Sequence, residues 1–194
     1  MPNWCETTYK CVGDKEQIKS LYGILKKITR RKKQKISNGF GKLWLGELVN
    51  ELGFVWERYR CRGEITNFNL QDGILTINQE TAWCEQEGVR QAIEQKFPSI
   101  KVYYCAEEPG CEVYCTNDKD GQFFSDRYYL DAYEDPQYFE TIEEAARFVT
   151  DLVGKKVAAK VSAIEAALDE YAEIKQENDE GVFYSFHEFQ VVDD

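Results

Sequence analysis

Seven cysteines and one histidine are the side chains best suited to nucleophilic or metal chemistry in this 194-residue chain. Cys105, Cys111 and Cys115 come closest together, but no Cys-x-x-Cys pair is present. Two ligands at i and i+4 of a strand lie about 13 Å apart, too far to share one zinc, so these thiols read as buried apolar residues. No metal or cofactor is expected. His187 has no Ser, Cys or Asp partner that spacing assigns to it, and it reads as a surface or edge-strand residue. Asp118-Lys119-Asp120-Gly121 resembles half of a calcium loop, yet Arg127 falls where a bidentate Glu is required, so a turn explains it. Glu107-Glu108 are adjacent, and on a strand they point to opposite faces rather than forming an acid/base dyad. Gly39-Phe40-Gly41-Lys42 lacks both the preceding strand and the spacing of a phosphate loop. No catalytic residue is assigned.

Arg30, Arg31, Lys32, Lys33 and Lys35 form the one basic cluster in a chain of net charge −11. They are the candidate nucleic-acid contacts, although the acidic total opposes broad binding to phosphate backbones. The second candidate surface is a stripe: Val157, Val161, Ile164, Leu168 and Tyr171 follow a 4-3-4-3 spacing, with alanines around them. It suits docking on the chain's own sheet or, alternatively, a homodimer seam or a helix for an unknown protein partner.

The elements that would position these residues follow from periodicity. Residues 4–12 alternate, with Cys5, Thr7, Tyr9 and Cys11 on one face, which predicts a half-buried strand. Asp14 is placed to cap a helix whose stripe is Ile18, Leu21, Tyr22, Leu25 and Ile28. Residues 30–60 read as an insertion with a short helix stopped by Gly53. Residues 64–70 and 74–79 predict a hairpin around Asp72-Gly73. A helix over 85–97 and a strand over 101–106 follow, then a further hairpin of residues 111–116 and 123–130. From Thr141, which with Glu144 matches a capping box, the chain reads as helical to 176, with a weak strand over 184–192.

The predicted fold is therefore α+β: a ferredoxin-like, split βαβ antiparallel sheet over residues 1–131, with an added hairpin, and a helical extension over 132–194. Whether that extension covers the open sheet face is not given by sequence. That face offers Trp4 and Tyr103, but Thr76 and Asn78 stand where RNA-recognition domains carry stacking rings. Aromatics at 14% supply ample core area, the start has no signal-peptide pattern, and no run reaches membrane-spanning length. A cytoplasmic location is expected.

Three patterns carry a resemblance. They are Met1-Pro2-Asn3-Trp4-Cys5 leading to Val12-Gly13, Thr81-Ala82-Trp83 after a strand, and Lys96-Phe97-Pro98 leading to Tyr103-Tyr104 and Glu107-Glu108-Pro109-Gly110. Together they resemble the YubB-like ferredoxin-like domain family, small proteins often carried on mobile elements. The resemblance spans about residues 1–131 outside 30–60. It implies the fold, leaves the function open, and carries no activity or catalytic residue with it. The function expected is a non-enzymatic interaction module of a mobile element. The alternatives are a nucleic-acid-associated protein using residues 30–35 and, last, a small-molecule enzyme.

Overall fold

In the computed structural model, residues 3–37, 39–132, 135–177 and 182–193 are described; Met1 and Pro2 of the opening motif and Asn38 of the insertion lie outside them. The chain divides after Asp118 into two compact units. Both mix helices with antiparallel strands, an α+β architecture. Among the described residues, no helix is long and apolar enough to cross a membrane.

The first unit starts with β1 (Trp4–Val12), whose alternation buries Cys5, Thr7, Tyr9 and Cys11. Asp14 Oδ1 accepts from the Glu16 and Gln17 amides and starts α1 (Lys15–Arg30). After α2 (Leu45–Leu52) come β2 (Gly63–Gln71) and β3 (Ile74–Ala82). Their turn has positive φ at both Asp72 (52°) and Gly73 (83°), the geometry that two-residue hairpins select. Then follow α3 (Glu87–Lys96), β4 (Lys101–Glu108) and β5 (Val113–Thr116). The strands lie side by side in the order β2-β3-β1-β4-β5, so β1 is central and antiparallel to both β3 and β4.

One face of this sheet carries the helices. Ile18, Leu21, Leu25 and Ile28 of α1 share a core with Leu45, Leu48, Val49 and Leu52 of α2, with Val89 and Ile93 of α3, and with Leu75, Ile77, Val102 and Tyr104 of the sheet. The 30–60 segment expected as an insertion is thus built into the core: four apolar residues of α2 are buried in it. Main-chain bonding also fastens it to β2, with Ile65 N donating to Leu43 O (2.9 Å) and a bridge pairing Trp44 with Glu64.

The second unit holds β6 (Tyr128–Ala132), β7 (Gln137–Phe139), α4 (Ile142–Val153), α5 (Val161–Glu177) and β8 (Tyr184–Glu188). Its sheet runs β7-β6-β8, all antiparallel. Thr141 and Glu144 close the capping box of α4, and Gly154 ends that helix in the left-handed region. Leu130, Phe139, Val149, Ile164, Leu168 and Phe186 form its core.

Two expectations are corrected here. Residues 111–116 and 123–130 do not form a hairpin: β5 pairs with β4, while β6 pairs with β7 and β8. The division accordingly falls at 118/119 where 131/132 was expected, and the C-terminal part adds β6 and β7 to the expected helices and last strand, the latter present as β8. An Asp-Lys-Asp-Gly segment permits a turn but does not choose which strands bury their faces together.

Candidate functional site

The first unit contains a cleft of about 780 Å³ lined by Trp4, Phe40, Trp44, Trp56 and Tyr59, with Arg60, Cys61, Arg62, Gly63, Glu64 and Ala82 completing the wall. The segment after α1 supplies four of its five rings, and β1 supplies Trp4. Trp44 anchors it: the ring is buried, and its indole N–H donates to Cys61 O at 2.6 Å. Trp56 meets Trp44 edge-on at 4.9 Å, and Phe40 lies tilted on it at 5.6 Å. The Trp44 ring also lies on Gly46, where a Cβ would come within 2.3 Å of it, so the residue at 46 must lack a side chain. Unlike Trp44, Phe40 and Trp4 remain 66% and 52% exposed. The buried Trp44 ring holds the exposed Phe40, and with Trp4 on the same wall they form a preorganised apolar surface of the kind that binding sites use.

Charge is arranged around this cleft. Among the described residues, neither Arg60 nor Arg62 nor Glu64 forms an ion pair. Glu64 is also the first member of a row across the sheet: it stands opposite Glu80, which stands opposite Glu6, which stands opposite Glu107. Glu6, Glu64 and Glu80 are exposed, and Glu6 shares the exposed face of β1 with Trp4. Like charges directly opposed on neighbouring strands are destabilising. The next row is neutral, with Thr8 Oγ1 donating to Asn78 Oδ1 at 3.2 Å.

A buried polar trio lies on the other face. Tyr9 O–H donates to Glu85 Oε1 at 2.6 Å, Arg90 Nε donates to the same oxygen at 3.3 Å, and the Arg90 guanidinium lies 5.2 Å from the Tyr104 ring centre. Burial pushes the Glu85 carboxyl up, against the opposing pull of Tyr9 and Arg90. Burial, and then the Glu85 charge, hold the Tyr9 hydroxyl well above its ordinary value. All three side chains are enclosed, so this trio locks β1 to the start of α3 and does not face solvent. Sequence reading missed it, because Tyr9 sits in a run of apolar-face residues.

The basic run is largely committed within its own unit. Arg31 Nη1 donates to the fully buried Glu47 at 3.1 Å, and Arg31, Lys35 and Lys27 all pair with Glu51, Lys27 at 3.0 Å. Burial alone would raise the Glu51 carboxyl, but Lys35, Lys27 and Arg31 outweigh it and hold it at about 2. Of the five candidate nucleic-acid contacts, Arg31 and Lys35 are therefore bound to carboxylates. Arg30, Lys32 and Lys33 remain on the surface.

The 157–171 stripe docks within its own unit, the first of its two readings. Val157, Ile164 and Leu168 are buried within the second unit's own core, with Val161 packed beside them and Tyr171 ring-to-ring with Tyr184 at 5.8 Å. Val157 precedes α5, so the five residues are not one helical seam, and burial against α4 and the sheet leaves no buried part of the stripe for a partner. His187 lies on β8 with Ser185 Oγ at 2.7 Å from its Nε2 and the Tyr129 ring stacked at 6.2 Å. Its pairing with Ser185 was not read from the sequence, although two residues i and i+2 on a strand share a face.

Among the described residues, no three His, Cys, Asp or Glu side chains gather to hold a metal. Burial pushes the Cys61 thiol up to about 12 and Cys115 to about 11, so both are neutral at pH 7. No family model, no curated protein and no solved structure matches the chain.

Proposed function

We propose that this chain is a non-enzymatic recognition module on a ferredoxin-like core, and that a protein partner engages it at the aromatic cleft. The β-α-β-β-α-β succession with strands placed β2-β3-β1-β4 supports the ferredoxin-like part, since this is the split βαβ arrangement. The motif resemblance to the YubB-like family supports the same core.

The cleft carries the functional part. Its size suits a side-chain cluster or small ligand, and its exposed Phe40 and Trp4 are the ring types that dominate binding surfaces. Its ionisable lining consists of two arginines, one glutamate, one tyrosine and a thiol held neutral, which supplies no nucleophile with an adjacent base. The test is capture from native cytoplasm by the wild type and by a Trp4→Ala, Phe40→Ala double variant. Both side chains are exposed, so melting should be unchanged. Proteins retained by the wild type and lost by the variant are expected; identical captures refute the cleft as the site.

One observation favours a second reading, a small-molecule enzyme: the Ser185–His187 contact is a hydroxyl–imidazole pair. Ester hydrolysis lost on Ser185→Ala would put that reading first.

A further inference from the structure

We infer that the partner segment recognised at the cleft is basic: an extended stretch carrying one large apolar anchor flanked by Lys or Arg. This rests on the reading of the cleft as the recognition site. The anchor is argued from the rings, since Trp4 and Phe40 flank an apolar recess floored by Trp44 and Trp56. The basic flanks are argued from the face into which the cleft opens. Glu64 is part of the cleft wall, Glu80 stands opposite it, and Glu6 stands opposite Glu80. Glu6 lies two residues beyond Trp4 on the same side of β1, about 7 Å along the strand.

A chain whose anchor sits in the cleft would therefore meet three exposed carboxylates within a few residues of it. None of the three forms an ion pair among the described residues, and cations placed over them relieve a repulsion that the fold otherwise tolerates. Arg60 and Arg62 also line the wall; their N–H groups can take the carbonyls of an extended segment. They do not reverse the sign of the surface, because the carboxylates of Glu6, Glu64 and Glu80 outnumber them. The net charge of −11 also opposes a polyanion, so a single-stranded nucleic acid stacking its bases on the same rings is the competing occupant, disfavoured by electrostatics.

The experiment is selection of random 12-residue peptides on the full chain, followed by titration of the enriched peptides by tryptophan fluorescence. Three of the four tryptophans line the cleft, so occupancy reads out directly. Enriched sequences should carry net positive charge and one aromatic or large aliphatic residue. Their affinity should fall about tenfold in the triple variant Glu6→Gln, Glu64→Gln, Glu80→Gln, and should fall again as salt is raised. The triple variant should melt no lower than the wild type, which separates lost binding from lost folding.

Neutral or acidic enriched sequences, or an affinity indifferent to the triple variant, overturn the basic assignment. If such binding still requires Trp4 and Phe40, the recognition-module reading stands. Binding that ignores Trp4→Ala and Phe40→Ala, or no enrichment at all, overturns both. Tighter binding of AMP or a 12-residue thymidine strand than of any enriched peptide overturns the inference in favour of the competing occupant.

Discussion

Replacing Glu51 with Gln should destabilise the first unit by about 1–2 kcal/mol at pH 7, and the loss should vanish in acid. The Glu51 carboxylate is 4% exposed and is shared by Lys27, Arg31 and Lys35, which hold it at about 2 against an ordinary 4.5. A depression of that size corresponds to a ceiling of about 3 kcal/mol. Lys27 and Lys35 are 63% and 53% exposed, so water and salt screen their share and bring the figure to about 1–2 kcal/mol. Because the folded value lies below the unfolded one, the stabilisation is complete above about pH 4.5 and is lost as the pH falls from there towards 2. Urea unfolding followed by tryptophan fluorescence is the assay, since all four tryptophans lie in the first unit and report on it alone. The gap between wild type and variant should be constant from pH 7 to 5 and narrow below 4.5. A gap of the same size at pH 2.5, or none at pH 7, would refute the ion-pair account.

Tyr9→Phe removes a neutral donor from the enclosed Glu85 carboxyl and should cost about 1–3 kcal/mol in the same unfolding assay; an unchanged midpoint would mean that the trio does not lock β1 to α3. Gly46→Ala forces a Cβ against the Trp44 ring, so it should shift the fluorescence spectrum and lower stability by about 1–3 kcal/mol, and an unaltered spectrum counts against the preorganised cleft. Leu168→Asp places a charge in the second unit's core and should unfold that unit by circular dichroism, leaving the solution mass unchanged. A fall in mass with folding intact would restore the stripe as an interface between copies.

Local chemistry was legible in the sequence wherever one short segment decides its own conformation. The alternation of β1, the Asp14 and Thr141 caps, the Asp72-Gly73 turn and the Gly53 stop all stand where residue order alone places them. Pairing was not legible, because β5 and β6 each found neighbours other than one another, and only the burial of whole faces selects those neighbours. The 30–60 segment misled for a related reason. It lies between the first helix and the next strand and so read as an insertion, and nothing local says that Arg31, sixteen residues before Glu47, pairs with Glu47 and Glu51 beside the core. The cleft lay deeper still. Its rings span positions 4 to 59 and belong to no shared period, so the aromatic content was read as core area and not as a site.

The central position of β1 has a consequence in time. It is the first strand in the chain, yet its neighbours are β3 and β4, which end at Ala82 and Glu108. During synthesis at about 5–20 residues per second, β1 waits roughly 5–20 s before both partners exist. Until β3 ends at Ala82 its Cys5, Tyr9 and Cys11 have no sheet to enter, and until β4 follows that sheet stays open on the other side of β1. Folding of the first unit is consequently governed by closure of long loops rather than by its own hairpin, and the slow step is the arrival of β4 beside a strand made about ninety residues earlier.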